Sequence, residues 1–251
     1  MADSLCVLPS PLCRCYHSLL DLSRLVLNQL TFDIGGARCT AGIDTLIVAG
    51  WTGRNQAAVD HHIAELAALG VKPPRHVPCF YRVGANLLTN ATVIDVAGSD
   101  SSGEVEFVLL SLADGLHIGV GSDHTDRKIE GHSVTVSKQM CPKPLGGELW
   151  KFSDVEGHWD ELVLRSWVTR RGRRDLYQEG PVTTLLAPRG LMARYLGKPE
   201  VLPIGAAMYG GTLPVHGVIG GGERFEIELD DPRLSRKLQH AYEVRCLEIA
   251  D

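Results

Sequence analysis

Nowhere in the 251 residues does an apolar run approach the roughly 18 uninterrupted positions that a membrane-spanning helix requires. A secretory leader is not expected either: Asp3 stands where a positive charge would be, and Pro9 and Pro11 break the short apolar run. Arg14 and Arg24 flank a weakly amphipathic stretch, but Asp21 argues against an organellar address, so a soluble, cytoplasmic protein is expected. There is no basic excess. Lys and Arg number 25 against 30 Asp and Glu, a formal net charge of -5, which gives none of the positive field that nucleic-acid binding uses. An anionic small molecule stays compatible, because a local cation can reverse the field inside a pocket. The cysteines are odd in number, 7, and scattered, which suits free thiols in a reducing compartment rather than a disulfide framework. Cys13 and Cys15 are too close and lack a second pair for structural zinc. Gly210, Gly211, Gly217, Gly220, Gly221 and Gly222 form no dinucleotide fingerprint, since no helix pattern follows them. Repeats, low-complexity tracts and βαβ alternation are absent too.

What is present suits a globular domain. Hydrophobic residues make up 44% and charged residues 22%, enough apolar surface for a real core. Residues 1–27 differ from the rest and read as an N-terminal extension carrying a short Leu-rich run; 28–251 reads as the main domain. Strand-like runs occur at 30–34 and 45–49, separated by a Gly35-Gly36 turn. A helix is expected from Gln56 to Leu69, started by Gly53 or Asn55, with Val59, Ile63, Leu66 and Leu69 as its buried stripe. Strands are expected at 92–97, 104–110, 116–120 and 132–137, and again at 161–168 and 174–178 around an Arg-rich turn, Arg170 to Arg174. Ser153 and Glu156 have capping-box spacing. A further helix runs from Pro188 to Leu196, followed by strands at 202–209 and 224–229. Strands dominate and helices are few, so the fold class is α+β, β-rich and mostly antiparallel.

Four groups of residues are candidates for chemistry. In Glu104-Val105-Glu106 the period of two puts both carboxylates on one strand face, about 7 Å apart, with Val105, Phe107 and Leu109 opposite. Two such anions repel, and a hard divalent cation between them reverses the penalty; the same alternation also describes the wet face of an amphipathic strand. Gly121-Ser122-Asp123 stands at the end of the next strand, where a carboxylate leaves the ladder and can enter a cleft; dense polarity there equally suits an exposed turn. Lys138 is expected to project from a strand end into a Pro-stiffened loop, where an ordinary surface lysine has the same pattern. On the first helix His62 and Glu65 are i,i+3 neighbours and His61 and Glu65 are i,i+4, so either imidazole can meet the carboxylate. A carboxylate beside an imidazole raises its basicity and favours a water-activating base; an ordinary surface pair has the same spacing.

The order of these pieces resembles the fumarylacetoacetate hydrolase superfamily. Gly53-Arg54-Asn55, His62 to Leu66 and Pro78 to Arg82 resemble its G-x-N-Y-x-x-H-x-x-E-L and P-x-x-F-x-K segments. Glu104-Val105-Glu106 resembles its E-x-E strand, Ser122 to Arg127 its N-D-x-x-x-R, and Lys138 with Pro142 and Pro144 its K-x-x-x-x-x-P-x-G-P. Ile204-Gly205, Gly210 to Pro214 and Gly222 to Ile227 resemble its closing segments. Each piece is short; it is their colinearity, from about residue 46 to 229, that is specific. The segments G-W-T-G-R, G-S-D-H-T-D-R and S-K-Q-M-C-P-K-P resemble more closely its DUF2848 branch. Departures are Gln56 for a tyrosine, Arg82 for a lysine, Ser122 for an asparagine, and a short interval from Glu106 to Asp123.

The resemblance implies a mixed β-sandwich roll with few helices and a homodimer. It implies that Glu104, Glu106 and Asp123 hold Mg²⁺ or Mn²⁺, with His62 and Glu65 activating water and Lys138 stabilising negative charge. Arg82, Gln139 and Thr212 would position the substrate. The implied reaction is hydrolytic C–C cleavage of a small 1,3-dicarbonyl or 2-oxo acid through an enolate. Alternatives on the same site are decarboxylation, hydration or isomerisation of a 2-oxo acid, or metal and small-molecule binding without catalysis.

Overall fold

The computed structural model describes residues 28–68 and 73–250, except for the side chains at 62 and 65–68. The proposed extension, 1–27, and Leu69 lie outside the described residues, as do the side chains of His62, Glu65 and Leu66. The strands of the two main sheets are β1 (Asn28–Ile34), β2 (Ala37–Ile43), β3 (Thr45–Gly50), β4 (Cys79–Val83), β5 (Val93–Ala97), β6 (Val105–Leu112) and β7 (Gly115–Ser122). They continue as β8 (Glu148–Lys151), β9 (Val163–Arg170), β10 (Arg173–Pro181), β11 (Ala206–Tyr209), β12 (Arg224–Asp231) and β13 (Arg236–Leu247). Among the described residues four α-helices accompany them: α1 (Gln56–Ala68), α2 (Arg127–Glu130), α3 (Val134–Met140) and α4 (Pro188–Leu196).

An eight-stranded sheet has the order β2-β1-β8-β7-β6-β11-β3-β4, and a five-stranded sheet the order β10-β9-β12-β13-β5. The pairs β1/β8, β3/β11 and β5/β13 are parallel and the others antiparallel, so both sheets are mixed. The molecule is thus β-rich, as the strand patterns predict. Phe107, Leu109, Ile118 and Val120 on one face of the large sheet meet Leu164, Ile227, Leu229 and Leu238 of the small one. The opposite face is also covered: Leu30, Phe32, Ile43, Leu46, Val48, Val108, Leu110 and Tyr209 form a second core layer. Burying each such side chain contributes roughly 1.5–3 kcal/mol, which favours curling the large sheet around both layers. Strands β3 and β6 serve both layers, which explains their near-continuous apolar runs.

Several expectations fail locally. Residues 134–137 are helical, within α3, not extended: Ser133 accepts from Val136 N at 3.4 Å and starts a helix that the β-branched Val134, Thr135 and Val136 had masked. The Ser153 capping box does not form; 3-10 turns span Phe152–Asp154 and Glu156–Glu161 without a side-chain cap. The strand expected at 202–209 is confined to Ala206–Tyr209, and β2 and the 12-residue β13 were not foreseen. In α1, Asn55 Oδ1 accepts from Ala58 N at 3.2 Å, and Val59 and Ile63 of the expected stripe are half-buried. The Arg-rich turn narrows to Arg171 and Gly172; Arg174 pairs with Glu226 and lies over the Trp167 ring. Among the described residues no helix is long and apolar enough to cross a membrane.

Candidate metal centre

A two-residue turn, Ala113-Asp114, joins β6 to β7, and the hairpin register decides where the carboxylates meet. Val105 pairs with Ser122 and Glu106 with Gly121. One step further, Asp123 N donates to Glu104 O at 2.9 Å, so Asp123 leaves the ladder beside the two glutamates. Oxygens of Glu104, Glu106 and Asp123 lie within 4.8 Å of one another. The short interval from Glu106 to Asp123 is therefore what a tight hairpin produces. The strand face is not wet: beyond Glu106 it continues as Val108 and Leu110 inside the second core layer. Glu106 is 2% exposed and Asp123 0%, with Glu104 half-buried.

Cations surround the cluster. Lys138, on α3 rather than at a strand end, forms an ion pair with Asp123 Oδ2 and lies 4.0 Å from Glu104 Oε2. Its Nζ also stands 5.7 Å from the centre of the Tyr81 ring, a favourable cation–π placement. Arg127 reaches Glu104 at 3.1 Å and Glu130 at 2.9 Å, and donates to Ser102 Oγ at 2.7 Å. Lys143 Nζ lies 3.4 Å from Asp123 Oδ1. Burial raises the Glu106 carboxyl well above its usual range, and the Asp123 charge adds to the rise. Glu104 is raised as well, by burial, with Arg127 and Lys138 opposing. Burial also works against ionising Asp123, but Lys138 and Lys143 outweigh it and hold that carboxyl below its usual range.

The other candidates are placed differently. Gly84 N donates to the exposed Gln139 Oε1 at 2.8 Å, tying α3 to the end of β4. Arg82 projects from the strand face opposite Tyr81 and donates to Tyr195 OH at 3.3 Å on α4. Thr212 gives its hydroxyl proton to Val105 O, at 2.9 Å, between the two glutamates. His62 and Glu65 belong to α1 by their backbone, and their side chains lie outside the described residues.

Sequence reasoning missed the residues that hold these groups. Gln178 is wholly buried: its Oε1 accepts from Val105 N at 2.9 Å and Ser166 Oγ at 3.0 Å. Its Nε2 donates to Thr212 Oγ1 at 2.8 Å and Leu213 O at 2.6 Å. A bulge between β9 and β10 brings Gln178 opposite Ser166 and Leu176 opposite Trp167, so strict alternation could not have marked Gln178. His124 is buried between Tyr242 OH (3.0 Å) and Ser101 Oγ (2.9 Å), and Tyr242 OH meets Ser122 Oγ at 2.7 Å. Burial, with Lys143 and Arg127 nearby, lowers the imidazole to about 3, so it is neutral and supports the turn.

Three oxygen-donor carboxylates, Glu106 on β6 and Glu104 and Asp123 just beyond the ends of the β6/β7 hairpin, two of them kept reluctant to ionise by burial, form a donor set suited to a hard divalent cation such as Mg²⁺ or Mn²⁺. The model of a family described as a protein of unknown function, DUF2848, matches residues 49–242. Among solved structures the chain is similar to a fumarylpyruvate hydrolase from Pseudomonas aeruginosa in complex with Mn²⁺ and pyruvate. That likeness has a TM-score of 0.60 at 18% identity and covers 87% of this chain and 97% of the other. A yeast fumarylacetoacetate hydrolase family protein gives a TM-score of 0.56 at 16% identity, with 83% and 97% covered. Comparison with curated proteins returns no match.

Proposed function

Because the chain belongs to the DUF2848 family and has the fold of fumarylacetoacetate hydrolase proteins, we propose that it is a divalent-metal-dependent enzyme acting on a small oxo acid. Our preferred reaction is hydrolytic C–C cleavage of a 1,3-dicarbonyl or 2-oxo acid of acylpyruvate type. The observation that carries the reading is the convergence of Glu104, Glu106 and Asp123 beside the Lys138 ammonium. That the similar Pseudomonas aeruginosa structure contains Mn²⁺ and pyruvate agrees with it.

Glu104, Glu106 and Asp123 would hold the cation. Bound there, it supplies Lewis acidity, the means of stabilising enolate charge as a C–C bond breaks. Lys138, fixed on Asp123 and kept above the ordinary lysine range by Asp123 and Glu104 despite its burial, contributes permanent positive charge where the substrate becomes negative. His62, with Glu65 as its partner on α1, is our proposed base for water. Arg82 and Gln139 are proposed to meet the substrate after leaving Tyr195 and Gly84, whereas Thr212, its proton committed to Val105, can only accept.

The test is Mn²⁺ binding followed by electron paramagnetic resonance, together with turnover of acylpyruvates and of oxaloacetate. Glu106→Gln should abolish both binding and turnover; retention of both by that variant would remove the basis of the proposal. Decarboxylation, hydration and isomerisation on the same site are separated by His62→Ala, which should stop hydrolysis far more than decarboxylation. A metal-binding protein without catalysis would show no proton–deuterium exchange at C3 of pyruvate or oxaloacetate with Mg²⁺ present.

A further inference from the structure

Lys143 has no role in the chemistry above, yet its side chain is 0% exposed. It lies in a two-residue bridge, Lys143–Pro144, that runs parallel to Leu88–Thr89, and Tyr209 OH caps its carbonyl at 3.1 Å. Its Nζ donates to His124 O at 2.6 Å, to Lys138 O at 2.5 Å and to Cys141 O at 3.0 Å. Three acceptors match the three N–H bonds of an ammonium. Each belongs to a different piece of the site: the turn carrying Asp123, the last turn of α3 carrying Lys138, and the loop that follows. Two of the acceptors stand at the C-terminal end of α3, where carbonyls lack helical partners and a cation is favoured. With Asp123 Oδ1 only 3.4 Å away, one buried nitrogen spans the metal-ligand turn and the helix bearing the cationic group.

We propose that Lys143 is a positioning residue that locks the Asp123 turn to the end of α3 and so fixes Asp123 and Lys138 against each other. The inference rests on the reading of Glu104, Glu106 and Asp123 as the metal ligands. It makes a prediction opposite in sign to simple charge repulsion. A cation next to Asp123 repels a divalent ion, so its removal should tighten metal binding if Lys143 were only a charge. If Lys143 positions Asp123, removal weakens binding despite the relief of repulsion.

The experiment is Mn²⁺ titration of wild type, Lys143→Met and Lys143→Gln, monitored by electron paramagnetic resonance, with folding verified by near-ultraviolet circular dichroism. Positioning predicts a dissociation constant raised at least about tenfold in Lys143→Met, a factor characteristic of residues that orient metal ligands. Lys143→Gln, which retains an N–H donor pair, should recover part of the loss. Unchanged or tighter binding in folded Lys143→Met overturns the proposal. If neither variant folds, wild-type protein labelled with ¹⁵Nζ-lysine decides. A slowly exchanging Lys143 ammonium signal, distinguished from Lys138 by its persistence in Lys138→Met, is expected; fast averaging like that of surface lysines overturns the proposal. Wild type that binds no Mn²⁺, or binds it independently of Glu106, defeats the earlier reading instead, and the two failures are thereby distinct.

Discussion

Gly211 donates its N–H to Glu106 Oε2 at 2.6 Å from a backbone with φ of 97°, and a Cβ there would run into the Thr52 hydroxyl. Both conditions require glycine. Gly211→Ala should destabilise the fold by about 1–3 kcal/mol, a strain-sized penalty, and weaken Mn²⁺ binding by loosening Glu106. Urea denaturation and a metal titration on the same preparation check the two effects. Gln178→Leu removes a buried group that serves two strands and Thr212 at once. The orphaned Val105 N–H and Leu213 carbonyl put the expected loss at about 2 kcal/mol or more, measurable by the same denaturation. At this scale the acidic residues were singled out by the order of short segments that resembles fumarylacetoacetate hydrolase proteins, since Glu-x-Glu and Ser-Asp alone fit a wet strand face or an exposed turn equally well. Gln178 and Lys143 were not, since a buried glutamine or lysine has the same letters as an exposed one, and its partners are backbone atoms far along the chain.

Between residue and molecule stand the short elements that aim the side chains. Asp126 caps α2, accepting from Ile129 N at 2.8 Å, and so directs Arg127, the first helical residue, toward Glu104. Asp126→Ala should cost about 1 kcal/mol, the usual value of a lost cap. It should also disturb Glu104 more than Glu106, since Arg127 contacts only the former; equal losses of metal affinity in Asp126→Ala and Gly211→Ala would contradict this. Helix α3 shows how propensity misleads: Val134, Thr135 and Val136 favour a strand, but the Ser133 cap and the Lys143 contacts at the far end bracket a helix. Strands with clean alternation, such as β12, needed no such help.

Across the whole molecule, charge links strands of the small sheet around one buried carboxylate, that of Glu228. Glu228 accepts from Arg165 at 3.0 Å, Lys237 at 3.0 Å and Gln239 at 2.7 Å. Burial works against ionising it, yet Lys237, Gln239 and Arg165 outweigh that and leave its pKa below the ordinary glutamate value. A carboxyl depressed in the folded state stabilises above its unfolded pKa, roughly 4.3, and the benefit fades as pH falls through the folded value. The stability gap between wild type and Glu228→Gln should therefore be constant above about pH 5.5 and shrink toward pH 3, as urea midpoints across that range will show. We also carry forward a homodimer as a proposal: light scattering should return about twice the 27.3 kDa chain mass, and a monomer would refute it.

The acids and the lysine were singled out by the resemblance of segment order, whereas hydrophobic periodicity and turn residues alone were enough for the β-rich class and for α1 and α4. Those features depend on neighbours a few positions apart. Which acids share a space was settled by the register of β6 against β7, and which buried groups hold them by the bulge beside Gln178 and the loop around Lys143. Such contacts join residues distant along the chain, and they form only when two sheets bury both faces of β6, a cooperative outcome that no local window contains.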